Sequence, residues 1–154
     1  MPKSEIEKAY LAGILDGEGC FNIHKNTNKV SFTARIMVGM SDPRILKLFH
    51  DEYGGNIQFY ESKTIKHKDA WMWYATGNTL EKLLVDVMPY LIIKKPQAEI
   101  VLELRNSMKT HVHFVRGKKG TQCVPQDIME YRQGLKNKIN FLNRTGKADI
   151  CLAS

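Results

Sequence analysis

The 154-residue chain is 43% hydrophobic and 25% charged, enough for one core of ordinary size in a single domain and too apolar for extended disorder or a collagen-like repeat. No apolar run reaches the roughly 18 residues of a membrane span, and the opening MPKSEIEKAY carries charge where a secretory signal has its apolar stretch, so a soluble intracellular protein with no membrane partner is expected. A net charge of +7 and a pI near 9.3 favour a polyanionic partner over an acidic protein substrate. The charge is blocked: residues 20–41 hold Lys25, Lys29 and Arg35, and residues 104–125 hold Arg105, Lys109, Arg116, Lys118 and Lys119, with no acid in either stretch. Three cysteines, Cys20, Cys123 and Cys151, are odd in number and widely spaced, which fits reduced thiols better than disulfides or zinc ligands.

Ser4 and Glu7 have the spacing of a capping box, and Ile6, Tyr10, Leu11, Ile14 and Leu15 recur at helical intervals, which predicts a first helix from about Ser4 to Asp16. Beyond it the period becomes two. Phe21 and Ile23, then Val30, Phe32, Ala34, Ile36 and Val38 after the turn-forming KNTNK, predict a β-hairpin with one apolar face. Its other face carries Asn22, His24 and Asn26 on one strand and Ser31, Thr33, Arg35 and Met37 on the other, a hydrogen-bonding, basic surface suited to a ligand or water.

Ser41 or Asp42 before Pro43 predicts a second helix, which the Gly54-Gly55 pair stops. Residues 56–60 and 70–76 predict a second hairpin around a polar loop, Thr79 opens a third helix closing at Pro89, and Pro96 opens a fourth. Residues 110–124 are basic and without period, and Pro125 starts a last helix through about Phe141. Two hairpins separated by a helix imply an α+β fold, one antiparallel sheet with helices on its apolar face and the opposite face open. His111 and His113 fall in the basic loop and lack zinc-ligand spacing to Cys123.

Ala9, Gly13 and Gly17 recur every four residues, a stripe that lets two helices approach backbone to backbone. Asp16 and Glu18 are expected just past the helix end, where the negative pole of the macrodipole makes each carboxylate unfavourable by roughly 0.3–1 kcal/mol unless a cation is near. A bound metal would remove that penalty.

The run Leu11-Ala12-Gly13-Ile14-Leu15-Asp16-Gly17-Glu18-Gly19 resembles the signature of the LAGLIDADG homing endonucleases, with glutamate at the final acidic position. The resemblance covers about residues 4–110 by pattern, within a single 1–154 domain whose 111–154 part is a basic loop and helix. It implies the αββαββα fold, a saddle-shaped sheet, and, because one motif is present, a homodimer whose motif helices pack along the two-fold axis through Ala9, Gly13 and Gly17. Two Glu18 carboxylates at ~6 Å in an effective dielectric of ~20 repel by about 3 kcal/mol, which divalent cations must offset. Glu18 and the Gly17 carbonyl are the expected ligands of magnesium (Mg2+) or manganese (Mn2+), with calcium (Ca2+) supporting binding without cleavage and no small-molecule cofactor.

The resemblance further places Lys94 at the family's active-site lysine, with Lys95 adjacent and the alignment resting on Gln97-Ala98, and Arg44 at a basic position beside the scissile phosphate. The family's water-positioning residue, often glutamine, aligns near Met40, which cannot serve; Ser41 or Asp42 substitutes, or the register shifts by one, or cleavage is weakened. Double-stranded DNA would be read from the open sheet face by Asn22, His24, Asn26, Ser31, Thr33 and Arg35 in the first hairpin and Gln58, Tyr60, Lys66, Lys68, Trp71 and Trp73 in the second. The alternation in WMWY also permits the reverse, with Met72 and Tyr74 outward. Arg116, Lys118 and Lys119, with the late cluster Lys136, Lys138, Arg144 and Lys147, are phosphate contacts. The implied function is a metal-dependent, intron-encoded, site-specific double-strand endonuclease acting at a long pseudo-palindrome. The alternative is a non-cleaving protein of the same fold, an RNA splicing maturase or a DNA-binding regulator. An organelle and a prokaryotic cytoplasm fit equally well.

Overall fold

A computed structural model describes residues 4–26, 31–65, 67–110, 115–116 and 122–145. Helix α1 spans Glu5–Glu18 and runs directly into strand β1, Gly19–Lys25, which pairs with β2, Phe32–Met40. Helix α2 (Arg44–Tyr53) leads to β3 (Asn56–Tyr60) and β4 (Ala70–Thr76); α3 (Gly77–Val87) continues into a 3-10 turn at Met88–Tyr90. Helix α4 covers Lys95–Thr110, a short pair β5 (Val115–Arg116) and β6 (Gln122–Cys123) follows, and α5 (Gln126–Thr145) completes the described chain. Strands β1 to β4 form one antiparallel sheet in the order β1-β2-β4-β3, the α+β architecture expected.

The first helix starts as its sequence dictates. Ser4 accepts from the Glu7 amide at 3.2 Å while the Glu7 carboxylate accepts from the Ser4 amide at 2.9 Å, satisfying two of the helix's orphan donors. The helix runs two residues beyond the expected Asp16, so Asp16 and Glu18 belong to its last turn. Residues 110–124, expected to be without regular structure, include the β5–β6 pair, whose two-residue strands are too short to show a period. The last helix extends past Phe141 to Thr145.

One face of the sheet is the core. Phe21, Ile23, Phe32, Ala34, Ile36 and Val38 point inward from the first hairpin and are covered by Leu11 and Leu15 of α1, Leu80, Leu83 and Leu84 of α3, and Leu104 of α4. From α5, Leu135 and Ile139 join the same core.

The fourth strand corrects one expectation. Trp73 is 0% exposed, 4.9 Å from the Phe49 ring, with its Nε1 donating to the Gly54 carbonyl at 2.9 Å. Trp71 shares that side and packs on Phe59 at 4.8 Å. Neither tryptophan belongs to the open face, because burying both ring systems removes far more apolar area from water than burying Met72 and Tyr74 would, and the Trp73 indole N–H finds its acceptor inside. The glycine pair that stops α2 makes room for this. Gly54 and Gly55 have φ of +82° and +91°, and a Cβ on Gly55 would lie 2.8 Å from the Trp73 Nε1.

Candidate nucleic-acid interface and catalytic centre

The carboxyl end of α1 is the meeting point of distant parts of the chain. Helix and strand join without a loop, Gly19 donating its N–H to the Leu15 carbonyl while already extended at φ −73°, ψ 141°. A Cβ at Gly19 would sit 2.5 Å from the Leu15 carbonyl oxygen and 2.9 Å from its Cα, so the last glycine of the motif is required by close approach to the backbone.

Asp16 is held by the turn before α4. Its carboxylate accepts from the backbone N–H groups of Ile92 at 2.9 Å, Ile93 at 3.1 Å and Lys94 at 2.8 Å. These three donors offset the cost of a carboxylate at a helix carboxyl end, a role sequence reasoning had assigned to a metal. The same turn carries the half-buried Lys94 to the motif, where its ammonium donates to the Gly19 carbonyl. Lys95, the neighbouring candidate, is exposed and is not part of this contact.

Glu18 is exposed, and no hydrogen bond or ion pair joins its carboxylate to another described residue. Gly17 is exposed beside it, in the last turn where helix carbonyls have no intrahelical donor. Among the described residues no group of three or more His, Cys, Asp or Glu side chains could hold a metal ion. One exposed carboxylate and one helix-end carbonyl are hard oxygen donors suited to a divalent cation, but too few to enclose it by themselves.

Arg44 is placed at the amino end of α2, its side chain 88% exposed and paired with Asp42 through bonds of 2.6 to 3.0 Å. The Arg44 side chain and backbone amide together pull the Asp42 carboxyl down to about 2, and Asp42 in turn raises the guanidinium above its ordinary value. Met40 packs against the core, consistent with a thioether that cannot order a water.

Opposed residues in the sheet register define the open face. Asn22 faces Arg35, His24 faces Thr33, Arg35 faces Thr76, Met37 faces Tyr74 and Gln58 faces Met72. Asn22, His24, Thr33, Arg35, Gln58 and Tyr60 therefore lie together on the side away from the core, as expected. Asn26 and Ser31 close the first hairpin, Nδ2 to Oγ at 3.0 Å. Tyr60 donates to Gln58 at 2.9 Å. Arg35 lies over the Tyr74 ring at 5.6 Å and its buried Nε has no acceptor in the described structure. Lys68 is exposed on the second loop; Lys66, Lys118, Lys119, His111, His113 and Lys147 fall outside the described residues, as does the side chain of Arg116.

Sequence reasoning offers Met72 and Tyr74 only as the alternative outward pair and misses Thr76 on this face. Parity holds the signal: 71, 73 and 75 are wholly apolar, while 72, 74 and 76 include a phenol and a threonine hydroxyl.

Ala9, Gly13 and Gly17 are all exposed, and a Cβ at Gly13 or Gly17 would meet nothing within 4 Å. Packing inside this chain therefore does not require glycine at either position. Ile6 (81% exposed) and Tyr10 share the free side of α1, and Ile92 (84%) and Ile93 project from the turn bound by Asp16.

The fold is of the α+β class, an antiparallel sheet with one polar face, and its first helix ends in an exposed carboxylate next to the carbonyl that a lysine holds. The family model described as LAGLIDADG endonuclease matches residues 11–104, and the chain belongs to that family. Comparison with curated protein sequences gives no match. Among solved structures, the homing endonuclease I-CvuI in complex with its target in the presence of 2 mM Ca is 20% identical, with a TM-score of 0.65 over 90% of this chain and 82% of that one. The archaeal intron-encoded I-Vdi141I bound to DNA is 14% identical, with a TM-score of 0.57 over 90% and 99% of the two chains. I-GzeII in complex with its DNA target is 16% identical at a TM-score of 0.64, and the match spans 43% of its length. At these identities the likeness is one of fold. Among the described residues no helix is long and apolar enough to cross a membrane.

Proposed function

We propose that this chain is a site-specific double-strand DNA endonuclease, intron-encoded, which acts as a homodimer on a long pseudo-palindromic site. The observation that carries the reading is the delivery of Lys94, from 75 residues away, to the Gly19 carbonyl beside Glu18, whose carboxylate pairs with no other described residue, at the end of the helix that borders an open polar sheet face.

Glu18 and the Gly17 carbonyl would hold a divalent cation (Mg2+ or Mn2+), completed by a second copy and by phosphate oxygens; Ca2+ would support binding alone. When bound, such an ion supplies Lewis acidity and hydroxide at neutral pH. Lys94 then stabilises negative charge developing on the phosphate from a fixed position, because its backbone N–H is anchored on Asp16. Arg44 is exposed and exchanges part of its Asp42 pairing for phosphate. Asn22, His24, Thr33, Arg35, Gln58 and Tyr60 present donors and acceptors to base edges, and Arg35, with an unsatisfied buried Nε, gains most from an acceptor. Asn26, Ser31, Lys66, Lys68, Arg116, Lys118 and Lys119 add backbone contacts.

The second copy covers the stripe Ala9, Gly13 and Gly17, which supports dimerisation because this chain leaves both glycines with free space in front of them. Selection of bound sites from a randomised duplex library, followed by incubation with Mg2+, tests the reading. Strand scission is expected, with Glu18→Gln binding but not cutting. Gly13→Leu should yield monomers by light scattering. Site-specific binding with no scission by the unaltered protein favours the non-cleaving alternative, which Met40 supports; absence of site selection overturns both.

A further inference from the structure

Strand β1 is an edge of the sheet, so the backbone groups on its outer side have no partner strand. Residues 19 and 21 face that side together, since a strand alternates its hydrogen-bonding direction. Both of these outer carbonyls are occupied, by groups from two distant parts of the chain. The Lys94 ammonium takes Gly19, and the Asn143 side-chain Nδ2 donates to Phe21 at 2.8 Å across 122 residues. Between them lies a recess of about 260 Å3 lined by Gly19, Cys20, Ile93, Lys94, Gln97, Leu142 and Asn143. Farther along the same strand, Lys25 Nζ meets Gln133 Oε1 at 3.5 Å, so α5 lies along the edge of β1 with its last turn at the catalytic end.

We propose that Asn143 is a positioning residue for the Lys94–Gly19 contact, which makes the last turn of α5 part of the candidate active site although the family match ends at residue 104. The hydrogen bond to Phe21 fixes the strand two residues beyond the carbonyl that Lys94 grips. Without it the outer side of the strand, then held there only by its pairing with β2 on the inner side, is less firmly fixed relative to the turn that carries the lysine, and the Lys94–Gly19 contact loosens. What Lys94 does there rests on the endonuclease reading, but the mechanical linkage is a property of the protein alone.

Asn143→Asp tests this, because it is isosteric and sets a carboxylate oxygen against the Phe21 carbonyl. In the DNA-free protein, amide exchange over residues 19–25 should accelerate by about fivefold or more relative to residues 70–76 of the same sheet. The side-chain NMR signal of Lys94, assigned with Lys94→Arg, should shift, while Lys138→Ala on the exposed side of α5 leaves both unchanged. On a selected DNA site, single-turnover cleavage should fall by about tenfold with Kd within about twofold. Asn143→Ala gives the same pattern if the aspartate variant does not fold. Equal acceleration of both segments, or an unmoved Lys94 signal, overturns the proposal and leaves Asn143 a packing residue. The exchange and NMR measurements need no DNA, so they decide the matter even if the protein cuts nothing.

Discussion

Replacing Asp16 by alanine tests how the lysine turn is held. The substitution removes a carboxylate that accepts three backbone hydrogen bonds at 2.8 to 3.1 Å. Charge-assisted bonds to buried groups are worth about 1.5–3 kcal/mol each, but two of these donors are near water and can be resolvated, so about 1 kcal/mol each is the appropriate scale. Against that sum, removing negative charge from the carboxyl end of α1 returns roughly 0.3–1 kcal/mol. The expected net loss is about 2 kcal/mol, or a fall in Tm of about 4–8 °C for a domain of this size. Asp16→Asn should lie between, since it keeps one oxygen but turns an amide group toward a donor. Urea denaturation followed by circular dichroism measures the difference, with exchange over residues 92–94 reporting local release of the turn. A variant within about 0.3 kcal/mol of the parent, with the turn unchanged, would show that the carboxylate does not support Lys94 and that its cost at the helix end is met otherwise.

Gly19→Ala should destabilise by more than about 3 kcal/mol or prevent folding, since its Cβ would enter the Leu15 backbone, whereas Gly17→Ala in the monomeric state should change stability by no more than about 1 kcal/mol in thermal melts. Trp73→Ala should cost about 3–5 kcal/mol in chemical denaturation, a value that a tryptophan on the open face could not produce. Glu81, hydrogen-bonded to Lys109 at 2.5 Å and Arg105 at 2.7 Å, has its carboxyl pulled below the ordinary range, chiefly by the Lys109 bond. The unfolded chain therefore takes up the Glu81 proton first as pH falls. Its stabilisation, about 1 kcal/mol, is complete above the unfolded pKa of about 4.3 and disappears as pH drops through the lower folded value. The stability gap between the parent and Glu81→Gln, followed by denaturant titration, should accordingly close on acidification; a gap that widens would contradict the assignment.

The elements that sequence reasoning placed well are those in which one face is buried. Phe32, Ala34, Ile36 and Val38 alternate strictly with more polar side chains, and a one-residue slip would invert them all, so the inward face of the first hairpin could be read directly. Strand β4 was harder, because Trp71 to Tyr74 are large and mostly apolar on both sides and only the Tyr74 phenol and the Thr76 hydroxyl mark the outer face; the choice is made by Phe49, Phe59 and the Gly54 carbonyl, which belong to other elements. The chemistry at the end of α1 was partly visible. The acidic pair and Lys94 stand out in the sequence, but the donors that hold Asp16 are backbone N–H groups 76 to 78 positions away and leave no trace in residue identity. Asn143 lies in the same category, an ordinary polar residue on a helix whose one distinctive contact is with a main-chain oxygen.

The direct junction of α1 with β1 carries a further implication. No connecting residues lie between α1 and β1 to absorb a rotation, and Gly19 is pressed against the Leu15 backbone, so the geometry of a single bent lever with its fulcrum at Gly19 results. On the homodimeric endonuclease reading proposed above, a change in the tilt of α1 against the second copy would be transmitted to Asn22 and His24 on β1, and a duplex pressing on that strand would act in reverse on the helix. Substitutions that retune the helix seam should therefore alter base preference at the innermost positions of the site, even when no reading residue has been touched.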